Sequence, residues 1–328
     1  MKLLSSFTGF MQDTVNINKT RLSQLSGRVD AIYDALRADE IFGPYVLGKI
    51  PQGSWPQRTI IKPLEDHEFD ADFLLVLKEN PEWSPKRYTR ELFKALGRTN
   101  AYKDMRSEKC RCVRVTYAND CHIDVVPFVE LADGRRMIVN AEQDTWENSD
   151  PEGFTKWMKE KDDASDGQLR KVIRLVKYLR DHKGTFDGTR SILLTTLLGE
   201  RVSTSKKLFD TAYYGDLPTA LKNIVNDLDV WLQSNPTKPQ VADPSGCGAS
   251  FDHRWTQVTY SNFRNKIHTY AAVITDAYNE ADQEKCLKKW QKVFGEDFKD
   301  TNKANSASTG RYGVPIAATS TNRSGRAG

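Results

Sequence analysis

The chain has 328 residues, of which 38% are apolar and 28% charged, a composition typical of a globular protein with one large domain or two smaller ones. Its 48 Lys and Arg residues outnumber its 44 Asp and Glu residues, but residues 301–328 hold four of the basic residues and no acid. Residues 1–300 are therefore neutral overall, which argues against nucleic-acid binding driven by net charge.

Targeting and cysteine signals are weak. The longest apolar runs are too short to cross a bilayer, and the first residues lack the apolar stretch of a secretory signal. Five cysteines in a long chain argue against a disulfide framework. We therefore expect a cytoplasmic protein without a membrane partner. The spacing of Cys110, Cys112 and Cys121 permits a zinc site, although two thiols on one face of an extended segment explain it more simply.

The first half of the chain alternates helical and extended patterns. In chain order, the sequence predicts a helix over 14–40, a strand over 45–50, a strand over 69–78, a helix over 85–96 between Ser84 and Gly97, a hairpin turning at Asn119-Asp120, and a strand in "RRMIVNA".

The second half is predominantly helical. From Asp150-Pro151 onward, five segments carry helical spacing, and a Pro, Ser and Gly-rich insertion, "NPTKPQVADPSGCGAS", interrupts them. The last residues are small and polar, so we expect disorder there. This divides the chain into an α/β catalytic core with an amino-terminal helix (1–150), a helical lobe (151–300) and a flexible basic tail (301–328).

A Gly-Ser pair in "GKIPQGSWPQRT" is the first candidate binding element. Gly53 lets the backbone approach a ligand, and free N–H groups after a strand attract phosphate. The hydroxyl of Ser54 adds one more donor. Taken alone, such a pair is most often a plain turn.

An acidic strand follows in "EFDADFLLVL". Asp70 and Asp72 share one face of an extended chain, where their carboxylates repel each other. A divalent cation such as Mg²⁺ would offset that repulsion. An exposed edge strand could also carry these acids, but the apolar run that follows indicates that the strand enters the core. Glu68 has the same spacing and receives no role.

A third acid, Asp124, lies in the apolar strand "CHIDVVPF". A Gly-Ser turn, an Asp-x-Asp strand and a later strand Asp match the core pattern of polymerase-β-like nucleotidyltransferases. Three carboxylates suit a two-metal mechanism, in which two Mg²⁺ ions (or Mn²⁺) lie roughly 4 Å apart. On a predicted helix, Arg174 and Lys177 share a face and are candidates for a triphosphate clamp, although a solvated basic face has the same pattern.

These motifs, together with "IRLVKYLRDHKGTF" and "SILLTTLLGERV", resemble the cGAS/DncV-like nucleotidyltransferases of bacterial anti-phage defence, over about residues 20–299. The family is related to animal cGAS and to the oligoadenylate synthases. The resemblance implies an α+β fold, with a bilobed polymerase-β-like core and a helical carboxy-terminal lobe of the oligoadenylate synthase type.

The resemblance also implies an activity, the metal-dependent synthesis of a cyclic di- or trinucleotide messenger from ATP, GTP or both. By this resemblance Gly53 and Ser54 bind donor phosphates, as do Lys177 and Arg174. The three aspartates, Asp70, Asp72 and Asp124, hold the metals, and the last of them helps to activate the acceptor hydroxyl.

The resemblance implies two kinds of partner, an effector that senses the cyclic product and an E1/E2-like ligase that conjugates the tail. An ordinary disordered end would explain the tail equally. The neutral residues 1–300 argue against activation by double-stranded nucleic acid. They also disfavour one alternative function, an RNA-tailing nucleotidyltransferase. The other alternative is an inactive interaction or antitoxin module with the same fold, which predicts the loss of at least one motif residue.

Overall fold

One mixed sheet forms the centre of the amino-terminal half. A computed structural model describes residues 1–64, 69–118 and 120–301, and within these ranges the sheet has seven strands. They are β1 Val46–Gln52, β2 Phe69–Lys78, β3 Arg106–Glu108, β4 Val113–Tyr117, β5 Cys121–Glu130, β6 Arg136–Asn140 and β7 Thr145–Asn148. The central strands β2 and β5 are parallel, and the other pairs are antiparallel.

Two helices cover one face of this sheet, and most of the others form a second lobe. The helices of the described residues are α1 Leu4–Phe10, α2 Lys19–Arg37, α3 Pro85–Arg98, α4 Pro151–Ala164, α5 Leu169–Lys183, α6 Ser191–Glu200, α7 Thr204–Phe209, α8 Leu217–Gln233, α9 Gln257–Asn279 and α10 Gln283–Phe294. Within the described part of the chain, no helix combines the length and apolarity needed to cross a membrane.

Local signals explain most of the boundaries, with two corrections. α2 begins later than the predicted residue 14, because the Asn18 side chain caps it by accepting a hydrogen bond from the Arg21 N–H at 2.8 Å. α3 runs through Gly97, which was wrongly predicted to end it. A Cβ at Gly97 would lie 2.5 Å from the Arg106 guanidinium, so this glycine makes room for a packed side chain.

The alternation along β2 decides which of its side chains face the helices. Ala71, Phe73, Leu75 and Leu77 are buried in a core with α2 and α3. The intervening positions, including 70 and 72, therefore lie on the opposite face of the sheet. The same alternation in β5 buries Ile123 and Val125 on the helix side.

The helical lobe has its own core, and the amino terminus contributes to it. Phe7, at 1% exposure, packs edge-on against Trp290 and Phe298, with ring centroids 4.9 and 5.0 Å apart. The segment containing α1 thus belongs to the core of the second lobe, whereas the sequence analysis placed all of residues 1–150 in the first. An amphipathic amino-terminal segment does not reveal from sequence which lobe it covers.

We predict that Phe7→Ala will lower the free energy of unfolding by about 3–5 kcal/mol, because it leaves a cavity among packed aromatic rings. Urea unfolding followed by circular dichroism measures this change. Phe209→Ala is the matched control, because Phe209 is 92% exposed, and it should change stability by less than about 0.5 kcal/mol. Equal stability of the two variants would contradict the packing of α1 described above.

Candidate functional site

Three carboxylates lie on the face of the sheet that α2 and α3 leave uncovered. Asp72 on β2 is directly beside Asp124 on β5 in the parallel register, and Asp70 is beside His122. Because adjacent strands lie about 4.8 Å apart, the carboxylates of Asp72 and Asp124 are near neighbours. The structure thus brings together the three acids that the sequence singled out.

Asp72 lies on the floor of a cleft, and protein atoms surround it except where the cleft opens. Burial, and after it the negative charges of Asp124 and Asp70, raise the pKa of the Asp72 carboxyl to about 7. The positive charges of Arg114 and Lys177 act in the opposite direction but do not offset burial. Ionising Asp72 is therefore costly unless a further cation arrives.

Arg114 on β4 is the direct cross-strand neighbour of Asp124. Its Nε and Nη2 donate to the two Asp124 carboxylate oxygens at 2.7 and 2.8 Å, and Nη2 lies 3.5 Å from Asp70. Within the described residues, no three His, Cys, Asp or Glu side chains are grouped so that they could hold a metal ion as they stand. At Asp124, both oxygens already face the guanidinium.

Gly53 brings the backbone against Asp72. It follows β1, has φ +72°, and a Cβ at this position would lie 2.6 Å from Asp72 Oδ2. Only glycine combines this left-handed conformation with so close an approach. Ser54 also lines the cleft, and its carbonyl accepts from the Thr59 N–H at 2.9 Å, which closes the turn.

The two predicted phosphate contacts on α5 have different surroundings. Lys177 is buried, lines the cleft and donates from Nζ to the Thr59 carbonyl at 3.0 Å. Burial lowers the pKa of Lys177 to about 7, and Arg180 lowers it in the same sense. Arg174 does not line the cleft, and its Nη1 donates to Asn16 Oδ1 at 2.8 Å. The geometry therefore supports Lys177 as a phosphate contact and does not support Arg174.

The cleft lies between the two lobes and has a volume of about 940 Å³. Several polar lining residues were not predicted from the sequence, among them Gln57, Thr59, Arg114, Arg180, Asp181, Asp187, Arg190 and Ser191. Ser191 is the first residue of α6, so unpaired N–H groups of that helix lie beside the cleft. The sequence could have predicted this element, because a helix that begins after "GTR" presents N–H groups that attract phosphate.

A second cavity of about 310 Å³ adjoins the first. The two share Gly53, Gln57, Asp72 and Arg190 among their lining residues. The predicted Pro, Ser and Gly-rich insertion lies between α8 and α9 and contributes Asp243 to the second cavity. Asp72 therefore lies where the two cavities meet.

The cysteines have separate environments. The Cys110 thiol donates to Asn140 at 3.2 Å, the Cys121 sulfur accepts from Arg28 at 3.0 Å, and Cys112 is buried. In the described part of the chain these thiols form no metal-ligating group.

Comparisons with known proteins point to one family. Residues 1–162, about half of the chain, match the model of the Second Messenger Oligonucleotide or Dinucleotide Synthetase domain. The chain is 27% identical to c-di-GMP synthase of Roseivirga ehrenbergii over 251 residues, which cover 66% of this chain and 65% of that protein. It is 21% identical to cyclic AMP-AMP-AMP synthase of an Acinetobacter species, over 94% of this chain and 91% of the relative.

The fold has a solved counterpart. Vibrio cholerae DncV cyclic AMP-GMP synthase, crystallised with nonhydrolyzable GTP, superposes with a TM-score of 0.73 at 17% identity, over 92% of this chain and 98% of DncV. The α+β bilobed fold expected from the sequence is thus confirmed. The match to the Roseivirga protein spans slightly less than two thirds of that protein, and these three relatives are named for different cyclic products.

We predict that Gly53→Ala will destabilise the protein by about 1–3 kcal/mol more than Gly134→Ala does. Both glycines have positive φ, but a Cβ at Gly134 meets nothing within 4 Å, whereas at Gly53 it meets the Asp72 carboxylate. Thermal and urea unfolding measure the difference. An equal loss of unfolding free energy in the two variants would show that the close approach to Asp72 does not affect stability.

We also predict that Asp72→Asn will stabilise the metal-free protein at pH 8 by up to a few kcal/mol. The carboxyl has a pKa of 3.8 when unperturbed and about 7 here. Above pH 7 the folded protein therefore bears the full free-energy cost of ionising Asp72. The stabilisation should shrink as the pH falls from 7 towards 3.8. Urea unfolding in EDTA at pH 8 and pH 5 measures it, with the exposed Asp133→Asn as control. A gain that does not depend on pH would contradict the assignment.

Proposed function

The chain belongs to the cGAS/DncV-like nucleotidyltransferases, and we propose that it joins nucleoside triphosphates into a cyclic di- or trinucleotide with release of pyrophosphate. One observation carries this proposal: the three strand carboxylates and the Gly53 turn line one cleft together with Lys177. Carboxylates that can hold metal ions, in one cleft with cationic side chains and helix N–H groups, suit a nucleoside triphosphate with its metal ions.

We propose that Asp70, Asp72 and Asp124 bind two Mg²⁺ or Mn²⁺ ions. The donor set is all oxygen, which these ions prefer, and the raised pKa of Asp72 indicates a carboxylate that gains from a nearby cation. When bound, such ions lower the pKa of a hydroxyl and neutralise phosphate charge. Metal binding by Asp124 requires that its carboxylate be released from Arg114.

The donor triphosphate would lie between the two lobes. Gly53 and Ser54 offer a turn that closely approaches the carboxylates, and Lys177 reaches across from α5 to the Thr59 carbonyl in the other lobe. A triphosphate beside Lys177 favours its charged form, because an anion raises the pKa that burial has lowered. The amino terminus of α6 at Ser191 adds N–H groups of the kind that bind phosphate.

The acceptor nucleotide would occupy the adjoining cavity. That cavity shares Asp72 and Gly53 with the cleft, so an acceptor hydroxyl at the junction lies near the donor phosphates. Asp124, beside Asp72 in the sheet, would help to activate that hydroxyl. Two nucleotides held in this way meet at the carboxylates, which suits phosphodiester formation.

Family membership supports a role in anti-phage signalling, in which the cyclic product activates an effector. It also supports conjugation of the tail by an E1/E2-like ligase. The tail from residue 302 lies outside the described residues, as does Glu68. Deleting Ala327-Gly328 and assaying conjugation in the presence of the ligase would test this second role. Conjugation that persists without these two residues would exclude them as the attachment point.

We predict that the protein, incubated with all four nucleoside triphosphates and Mg²⁺ or Mn²⁺, will release pyrophosphate and form a cyclic oligonucleotide. Mass spectrometry identifies the product, and nuclease P1 digestion separates 3′–5′ from 2′–5′ linkages. Asp72→Asn should lower the rate about a hundredfold or more, as expected when a group that stabilises transition-state charge is lost. The exposed Asp133→Asn should not change it.

Three outcomes would contradict the proposal. Linear tails on added RNA would identify an RNA-tailing enzyme, and a folded protein without any nucleotidyl transfer would identify an interaction module. Full activity of Asp72→Asn would refute the assignment of the site.

A further inference from the structure

Arg114 occupies the position next to the carboxylates where a cation is needed. Its planar guanidinium contacts both oxygens of Asp124 at 2.7 and 2.8 Å and lies 3.5 Å from Asp70. The pair is shielded, with 26% of the Arg114 side chain and 14% of the Asp124 side chain exposed. This geometry is the two-point fork in which arginine binds carboxylates most firmly.

The fork and a metal ion compete for the same carboxylate. Each oxygen of Asp124 keeps a second lone pair, but an ion bound there would lie within a few ångströms of a fixed positive charge. The repulsion between a divalent ion and this charge weakens binding for as long as Arg114 stays in place.

We propose that Arg114 is the resident counter-ion of Asp124, pairing with it in the substrate-free protein and releasing it when the metal-bound nucleotide arrives. The inference rests on the metal site of the proposed function. The substrate-free protein then binds divalent ions weakly, and the nucleotide brings its own ion. Once released, the guanidinium lies beside incoming phosphate oxygens, with which it pairs well, so nucleotide binding and metal binding become coupled.

A purely structural role makes a different prediction. If Arg114 only ties β4 to β5, its loss destabilises the protein and leaves the intrinsic affinity for metal unchanged. Metal affinity without nucleotide therefore separates the two roles.

The test is Mn²⁺ binding without nucleotide, measured by electron paramagnetic resonance of the free ion. Arg114→Met keeps much of the side-chain length and removes the charge, so it should bind Mn²⁺ at least about tenfold more tightly than the unsubstituted protein. Arg114→Lys keeps a charge but loses the fork, so its affinity should lie between the two. Arg98→Met is the control, because Arg98 makes the same fork with Asp39, at 2.7 Å for both contacts, and should leave Mn²⁺ binding unchanged.

A second substitution locates the bound ion. Asp72→Asn, added to Arg114→Met, should abolish the gained affinity. If neither Arg114 variant binds Mn²⁺ more tightly, while Asp72→Asn still weakens binding, the counter-ion role is overturned and the metal site stands. If Asp72→Asn has no effect on Mn²⁺ binding in either background, the metal site of the proposed function fails and this inference fails with it.

Discussion

Asp72 and Asp124 lie side by side on two parallel strands, and the repulsion between their carboxylates constrains the surrounding site. Strand pairing prevents the two side chains from separating, and the apolar helix side of the sheet prevents them from turning inward. Burial adds to the cost by raising the pKa of Asp72 to about 7. The surrounding residues therefore have to supply positive charge, and they do so through Arg114 on β4 and Lys177 on α5.

The position of Lys177 depends on how the lobes meet. Helix α5 belongs to the helical lobe, but the Lys177 ammonium donates to Thr59 in the turn that also holds Gly53. A buried lysine is costly to charge, and its lowered pKa of about 7 records that cost. A bound triphosphate would lower the cost, just as metal ions would for Asp72. The site thus contains unfavourable charges of both signs, and a metal-bound nucleoside triphosphate complements both.

Much of the site could be predicted from sequence because it depends on short-range geometry. The spacing of Asp70 and Asp72 puts them on one face of any strand, and the following apolar run indicates that this strand is buried. The same local reasoning places Gly53 in a turn. For Arg174 the local reasoning was insufficient. The spacing predicts that Arg174 and Lys177 share a helix face, but only Lys177 lines the cleft, whereas Arg174 donates a hydrogen bond to Asn16 of the amino-terminal segment.

Arg114 shows the same limit more clearly. In the sequence it is one of two arginines in "CRCVRVTYAN", a segment that contains no acid to pair with it. Only the register of β4 against β5 places it beside Asp124. Gly97 was misjudged for a related reason, since the side chain that requires its small size comes from Arg106, nine residues further along the chain. Contacts across strands and between lobes are decided by packing, which spacing rules do not describe.

The most direct test of this account is a crystal structure with Mg²⁺ and a nonhydrolysable nucleoside triphosphate. The account predicts the triphosphate between the Gly53-Ser54 turn and Lys177, with metal ions on Asp70, Asp72 and Asp124 and the Arg114 fork released from Asp124. A nucleotide bound away from these carboxylates, or metal ions without contact to Asp72, would contradict it.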